Sequence, residues 1–246
     1  MPFPYYEGDL PWLTTEQMIE VDRAMIEDYR IELIQMMENA GRALAHLARE
    51  RFLGGDPRGR QVTVLAGSGG NGGGALVCAR HLHNYGARVQ VYVTRSAADF
   101  TPVPGHQLDI LQRIGVPVAL AEAVAGVPRP DLVVDGMIGY RLKDAPRGAA
   151  AVLIRWANAA GAPILALDVP SGVDTATGTV FTPAIQATAT MTLALPKVGL
   201  RAAGVEAYIG ELYLGDISVP PELYAGPALS LQVGYIFAAS DIVRLR

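Results

Sequence analysis

Cysteine and lysine are both scarce in this chain of 246 residues. Its single cysteine, Cys78, excludes an internal disulfide and a cysteine-rich metal site. Only two lysines occur, Lys143 and Lys197, in a chain whose usual basic residue is arginine. Each of the two lysines therefore needs a particular reason for being there.

Long apolar runs and basic clusters are missing as well. No segment reaches the roughly 18 consecutive apolar residues that a membrane helix requires, and the first residues lack the basic flank and apolar run of a signal peptide. A net charge of −4 gives no general attraction to nucleic acid. Half of the residues are hydrophobic and 18% are charged, which is typical of a compact folded protein. The composition predicts a cytoplasmic protein with no membrane and no nucleic-acid partner.

The first section of the chain, residues 13–52, is predicted to be helical. Thr14 and Gln17 have the spacing of a capping box, which marks the start of a helix. A second amphipathic helix is predicted over 33–51, and the glycine-rich turn at 54–60 ends this section.

Strand and helix patterns then alternate. Buried apolar strands separated by helices are typical of a parallel sheet that is covered on both faces. The predicted strands are 61–66, 88–94, 131–135, 163–169 and 188–195, and the predicted helices between the first four are 73–85, 105–113 and 149–159. After residue 187 no further helix is predicted, and 210–220 reads as one more strand.

These patterns predict an α/β fold: a three-layer, Rossmann-like, mostly parallel sheet with helices on both faces. We expect a single domain over residues 1–246. It comprises a helical N-terminal extension (13–52), an α/β core (61–220) and a C-terminal tail (221–246).

A glycine loop follows the first predicted strand. Six of the eight residues from Gly67 to Gly74 are glycine, and such a loop between a strand and a helix is a general anion site. An ordinary dinucleotide site also expects an acidic residue about 20 positions on, but Thr94 and Arg95 stand there. A tight turn without a ligand is the plain alternative, although six glycines exceed what a turn requires.

Polar residues also stand at the ends of three later strands. They are Asp135, Asp168 with Ser171 close behind, and Lys197. Each aspartate alone could simply cap a turn. Because ligands bind outside the carboxyl ends of parallel strands, three such ends predict one shared pocket beside the glycine loop.

Together these segments resemble the NAD(P)H-hydrate epimerase family, whose shared unit is the YjeF N-terminal domain. The resemblance runs from Leu13 to Pro220 and rests on five stretches in the family's order. These are "LTTEQMIEVDRAMI", "MMENAGRALA", "GSGGNGGGALVCARHL", "LDVPSGVDTATG" and "ATATMTLALPKVGL".

The resemblance implies an isomerase that interconverts the R and S forms of hydrated NADH or NADPH, a damaged cofactor. It implies nucleotide contacts at Gly70, Asn71, Gly72, Gly73, Gly74, Gly139, Tyr140, Arg141 and Asp168. It also implies a potassium ion held by Asn71, Asp135 and Ser171, whose hard oxygen atoms suit an alkali ion. A homodimer is expected, and a separate dehydratase would complete the repair.

Epimerisation at a carbon that bears a hydroxyl and a ring nitrogen needs cleavage and re-formation of the C–O bond, or opening of the ring, and either route requires an acid/base group close to that carbon. Asp168 is the expected acid/base group because its carboxyl follows an apolar strand. Lys197 is expected to orient Asp168, to hold the diphosphate or to balance the carboxylate charge. A lysine that merely reaches the surface from a strand end is the plain alternative.

Two departures from the family pattern leave a second reading open. Gly74 replaces the family's aspartate, and Tyr140 and Arg141 put bulk and charge into a loop that is usually G-T-G-L. The chain could therefore be a diverged, non-catalytic paralogue that binds a nucleotide or ribosyl ligand or acts as an interaction module. The epimerase reading is favoured because Asn71 and the strand-end residues are all retained.

Overall fold

Eight strands form one sheet in the computed structural model, which describes residues 3–246. In chain order they are β1 (Gln61–Ala66), β2 (Arg88–Val93), β3 (Val118–Leu120), β4 (Leu132–Gly136), β5 (Ile164–Leu167), β6 (Ala189–Leu193), β7 (Glu211–Gly215) and β8 (Ile242–Arg244). Across the sheet the order is β3-β2-β1-β4-β5-β6-β7-β8, and every neighbouring pair is parallel except β7 with β8. The predicted mostly parallel sheet is confirmed.

The direction of the chain across the sheet reverses between β1 and β4. β1 pairs with β2 on one side and with β4 on the other, so that Leu65 lies level with Asp135. In an open parallel sheet this arrangement leaves a crevice outside the carboxyl ends of the two strands. The glycine loop follows β1 and Asp135 lies in β4, so both border the crevice.

Helices cover both faces of this sheet. They are α1 (Thr15–Glu27), α2 (Leu33–Phe52), α3 (Gly70–Asn84), α4 (Pro102–Arg113), α5 (Gly148–Ala159), α6 (Glu206–Ile209) and α7 (Pro221–Ala225). α2, α3 and α4 pack on one face, α5 covers the other, and α1 and α7 lie at the β6–β8 end. Over residues 3–246, no helix combines the length and the apolar character that crossing a bilayer requires.

The start of α1 follows the sequence prediction. Gln17 N–H donates to Thr14 Oγ1 at 3.2 Å, and Thr14 N–H donates to Gln17 Oε1 at 2.9 Å. Two backbone N–H groups that a helix start leaves unpaired are thereby satisfied, which confirms the capping box.

Several short elements differ from the prediction. β3 and β8 were not expected, and α6 and α7 show that helices do not stop at residue 187. Each of these elements has three to five residues, too few for a hydrophobic period to appear in the sequence. The last predicted strand (210–220) ends at Gly215, because Asp216 Oδ1 accepts the N–H of Ser218 at 2.6 Å in a local turn.

The segments that the sequence assigns to an extension and to a tail join the main fold. α2, which the sequence assigns to a helical extension, packs against α3 in the same layer. The residues assigned to a C-terminal tail supply β8. Arg244 of β8 pairs with Tyr5 near the N-terminus, and its N–H donates to the Pro4 carbonyl at 2.8 Å.

Candidate active site

Two glycines of the glycine loop are required by close backbone packing. A Cβ at Gly67 would lie 2.0 Å from the Met137 carbonyl oxygen, and one at Gly72 would lie 1.8 Å from the Gly67 carbonyl oxygen. No side chain fits at such distances. These glycines draw the turn after β1 against the end of β4, which places α3 directly above the crevice.

The first turn of α3 offers unpaired backbone donors. α3 starts at Gly70, and no backbone carbonyl in the described chain accepts the N–H of Gly70, Asn71 or Gly72. The N–H of Gly73 is already bonded to the Gly69 carbonyl at 3.0 Å. A Cβ at Gly69 would meet nothing within 4 Å, so the space in front of this helix start is open. This is the geometry of an anion site.

Gly73 and Gly74 face packed side chains. A Cβ at Gly73 would come within 2.6 Å of Met37 Sδ on α2, and one at Gly74 within 2.8 Å of Leu167 Cδ2 on β5. Both residues are buried. In this chain the position of the family's aspartate therefore points into the protein core.

Asp135 is fully buried at the end of β4 and is bonded to Ser171. Its Oδ1 accepts the Ser171 hydroxyl at 2.7 Å and the Met137 N–H at 3.2 Å, while its Oδ2 accepts the Ser171 N–H at 2.8 Å. The same Ser171 hydroxyl oxygen accepts the Ile138 N–H at 3.0 Å. Burial raises the pKa of Asp135 to about 6, although the hydrogen bonds from Ser171 and Met137 oppose that rise.

Asn71 stands beside this pair of residues. A Cβ at Gly139 would lie 3.3 Å from the Asn71 Cβ, so the loop after β4 touches the first turn of α3. The side-chain Nδ2 of Asn71 is buried and has no hydrogen-bond partner among the described residues. A buried amide donor without a partner is uncommon in folded proteins and marks this position as a candidate for ligand contact.

Asp168 and Lys197 form a buried ion pair at the ends of β5 and β6. Asp168 is 4% exposed and Lys197 is 1% exposed. The Lys197 ammonium donates to Asp168 Oδ1, to Thr192 Oγ1 at 3.2 Å and to the Leu193 carbonyl at 2.8 Å. All three of its protons are used. Lys197 therefore acts as the charge partner that orients Asp168.

One carboxylate oxygen of Asp168 accepts hydrogen bonds and the other does not. Oδ1 accepts the Lys197 ammonium, the Thr192 hydroxyl at 3.4 Å and the Leu193 N–H at 3.4 Å. Oδ2 accepts no hydrogen bond from residues 3–246. It is also not completely buried, because it is absent from the fully buried atoms that lack a partner. Asp168 also has a φ of 65°, an uncommon backbone conformation for a residue other than glycine.

The predicted residues therefore meet at one edge of the sheet, in two hydrogen-bonded clusters. One cluster contains Asp135 and Ser171 with Asn71 beside them, and the other contains Asp168 and Lys197. Neither of two cavities elsewhere on the molecule is lined by these residues. A cavity of about 530 Å³ lies between α2, α3 and α4, and another of about 470 Å³ lies beside residues 216–221 and 233–238.

A family model described as "YjeF-related protein N-terminus" matches residues 33–199. A protein of Dehalogenimonas lykanthroporepellens called "NAD(P)H-hydrate epimerase" is 41% identical over 237 residues, which are 95% of this chain and 92% of that protein. This chain belongs to the NAD(P)H-hydrate epimerase family.

Other relatives match most of this chain. An "NAD(P)H-hydrate epimerase" of Rhodopirellula baltica is 36% identical over 217 residues, which are 87% of each chain. A "Bifunctional NAD(P)H-hydrate repair enzyme Nnr" of Moorella thermoacetica is 36% identical over 220 residues, and the match spans 87% of this chain but only 41% of that protein. The crystal structure of the yeast protein YNL200c has a TM-score of 0.77 and 25% identity, and the match covers 96% of this chain and all of the yeast chain.

A residue that the sequence did not suggest for the site, Asp22, lies beside the ion pair. Asp22 on α1 accepts a hydrogen bond from the Tyr140 hydroxyl. Burial raises the pKa of Asp22, and the charges of Lys197 and Asp168 are near enough to act on it as well. An acidic residue on an amphipathic helix is usually solvated, so the helical pattern carried no signal for this contact.

Proposed function

We propose that this protein is an isomerase that interconverts the R and S forms of hydrated NADH and NADPH. The observation that carries the proposal is the asymmetry of Asp168, whose Oδ1 is held by Lys197 while Oδ2 has no partner in the described chain. The family membership supports the same reaction, because relatives that this chain matches over most of their length are named as epimerases.

Asp168 is the proposed acid/base group. The carbon that changes configuration bears a hydroxyl and a ring nitrogen. Inversion there proceeds either by loss and return of water or by opening and closing of the ring. Loss of water requires the hydroxyl oxygen to gain a proton, and ring opening requires it to lose one, so both routes need a group that exchanges a proton with that oxygen. Oδ2 of Asp168 would give this proton before water leaves, or take it as the ring opens, and the transfer would reverse when the bond forms again. Lys197 holds the carboxylate in one orientation through Oδ1.

The nucleotide part of the substrate would bind at the start of α3. The N–H groups of Gly70, Asn71 and Gly72 have no backbone acceptor, and the positive end of the helix dipole favours a diphosphate there. Gly139 lies against Asn71, and Arg141 nearby in the same loop supplies an exposed positive charge. Gly73 and Gly74 would support this site through packing.

A potassium ion fits the residues of the first cluster. A cation there would offset the buried charge of Asp135, which three hydrogen bonds stabilise only in part. Asn71 and Ser171 would add amide and hydroxyl oxygen atoms, the hard donors that alkali ions prefer. Within residues 3–246 no three His, Cys, Asp or Glu side chains gather as a transition-metal site would require. The ion would supply charge neutralisation and order the segments around Asn71, Asp135 and Ser171.

The epimer assay tests the proposed activity directly. One pure epimer of hydrated NADPH is incubated with the purified protein, and the R and S forms are separated by liquid chromatography. We expect equilibration with the unmodified protein and none with Asp168→Asn, while Asp9→Asn, which changes an exposed aspartate, behaves like the parent. A single epimer that stays unchanged after prolonged incubation would overturn the proposal. If NADP+ then still raised the melting temperature, the protein would be a nucleotide binder.

The reaction leaves the substrate hydrated, so a dehydratase of one epimer must follow. The names of the bifunctional relatives fit such a partnership, because this chain matches only 41% of the length of the first of them. We propose that a separate dehydratase consumes the product.

A further inference from the structure

The loop after β4 carries Tyr140 and Arg141, two of the residues by which this chain departs from its family, and three contacts hold it in place. Gly139 lies against Asn71 of α3. The buried Thr175 donates its hydroxyl to the Tyr140 carbonyl at 3.1 Å. The Tyr140 hydroxyl donates to Asp22 of α1. The loop therefore connects the candidate anion site to α1.

The Tyr140 ring packs against the apolar cluster formed by α1, the start of α2 and the ends of β6 to β8. Its hydroxyl reaches Asp22, which is half-buried. The large Tyr140 side chain, which distinguishes this loop from the family's G-T-G-L, therefore packs beside α1.

Arg141 depends on the same hydroxyl. Its Nε donates to the Tyr140 hydroxyl oxygen at 3.2 Å, and its guanidinium lies 5.4 Å from the centre of the Tyr140 ring. Arg141 is exposed, so part of its guanidinium remains available to a ligand. The three residues form a chain of contacts in which Asp22 holds Tyr140 and Tyr140 holds Arg141.

α1 itself is anchored beside the ion pair. The Leu13 N–H donates to the Pro196 carbonyl at 2.8 Å, and the Val198 N–H donates to the Leu13 carbonyl at 3.0 Å. These bonds attach the segment before α1 on both sides of Lys197. Because α1 is attached there, Asp22 holds the Tyr140 hydroxyl of the loop in a fixed position.

We propose that Asp22 is a positioning residue that acts through the Tyr140 hydroxyl to hold the Arg141 guanidinium ready for the phosphate groups of the substrate. The inference rests on the proposed function. It assigns Tyr140 and Arg141 a joint role in substrate binding, separate from proton transfer at Asp168. Without the support, Arg141 would have to be ordered when the substrate binds, and that entropy cost weakens binding.

Steady-state epimerisation of hydrated NADPH tests this role. The variants are Tyr140→Phe and Asp22→Ala, and Asp22→Asn is a rescue variant because its amide oxygen can still accept the Tyr140 hydroxyl. We expect each of the first two to raise KM about tenfold, as loss of a hydrogen bond to a charged group implies, with kcat changed less than about twofold. Asp22→Asn should recover most of the loss. The matched controls are Asp28→Asn at the end of α1 and Tyr235→Phe, a tyrosine that is 84% exposed.

The double variant Asp22→Ala/Tyr140→Phe should have a KM no higher than the worse single variant, because the residues act in series. Should Tyr140→Phe fail to fold, Arg141→Met gives the same test at an exposed position: its KM should rise, and Asp22→Ala should add nothing further.

The outcomes separate this inference from the proposed function. A parent protein that does not epimerise would overturn the proposed function and this inference with it. An active parent whose variants keep the parental KM, lose kcat instead, or multiply their losses in the double variant would overturn only the role of Asp22.

Discussion

The Lys197 ammonium donates a hydrogen bond to the Asp168 carboxylate across the ends of two neighbouring strands, in a place almost closed to solvent. A lysine is that deeply buried only when its charge is paired and its protons are bonded. The pair accounts for one of the two lysines in the chain, and the other, Lys143, is exposed.

The two lysines allow a matched test of the ion pair. Lys197→Met keeps most of the side-chain volume but leaves the Asp168 carboxylate buried without its partner. The free energy of unfolding should fall by about 3–5 kcal/mol, and epimerisation should be lost. Lys143→Met should change the free energy of unfolding by less than about 0.5 kcal/mol. Urea denaturation and the epimer assay measure both effects.

Adding Asp168→Asn to Lys197→Met should restore part of the lost stability, since the unpaired charge is removed, without restoring activity. A Lys197→Met protein as stable as the parent would contradict the buried pair.

An added carboxylate should destabilise the protein strongly at one glycine of the glycine loop and hardly at all at another. Gly74→Asp restores the family residue, but its Cβ would meet Leu167 Cδ2 at 2.8 Å and its charge would be buried. It should lower the free energy of unfolding by at least about 3 kcal/mol. Gly69→Asp enters open space at the N-cap of α3 and should change stability by about 0.5 kcal/mol or less.

Gly69→Asp should weaken the binding of NADP+ although it hardly changes stability. Its carboxylate would repel phosphate from the start of α3, so the dissociation constant should rise although the fold is intact. A stable Gly74→Asp protein with faster epimerisation would show that the core tolerates the family residue and that the natural chain has lost activity.

Potassium should stabilise the protein if it binds near Asp135. A ligand that binds only the folded state raises the free energy of unfolding according to its saturation. For a chain of this length, replacing choline chloride by potassium chloride at equal ionic strength should raise the melting temperature by about 2–5 °C. Asn71→Ala and Ser171→Ala should reduce the response. Identical melting curves of the parent in both salts would exclude a stabilising potassium site.

The contact between α2 and β7 should make the free energy of unfolding depend on pH. Hydrogen bonds from Arg51, 2.9 Å at the closest, lower the pKa of Glu211 from 4.5 to about 2. Because the pKa is lower in the folded state, this stabilisation is complete above pH 4.5 and is lost as the pH falls towards 2.

Glu211→Gln should therefore be less stable than the parent at pH 7, by about 1–2 kcal/mol after allowance for solvent around Arg51. The difference should shrink below about pH 4.5 as the Glu211 carboxyl becomes protonated in the unfolded parent. Urea denaturation from pH 7 to pH 3.5 measures it, with Glu222→Gln as an exposed control. A difference that stays constant over this range would contradict the predicted linkage.

Much of the fold was predictable because its signals are local. The buried runs at β1, β4 and β5 alternate with helical stretches, and the capping box at Thr14 lies within four residues of sequence. Short elements such as β8 were missed, because a three-residue strand is stabilised by the strand beside it and not by its own sequence pattern.

The candidate site was only partly predictable. Asp135, Asp168 and Lys197 follow apolar strands, and this position alone indicated the carboxyl edge of the sheet. Which oxygen of Asp168 is committed to Lys197 depends on side-chain geometry that strand position does not specify. The packing of Gly74 against Leu167 likewise depends on how α3 lies on the sheet.

The sequence by itself determined the order of the longer strands and helices, the glycine loop and the family, since each depends on short-range patterns and on residue types at strand ends. The tertiary structure alone decided that Asp22 meets Tyr140, a residue 118 positions away. Such contacts depend on how the elements pack in space, because burial and hydrogen bonding act between neighbours in three dimensions whatever their separation along the chain.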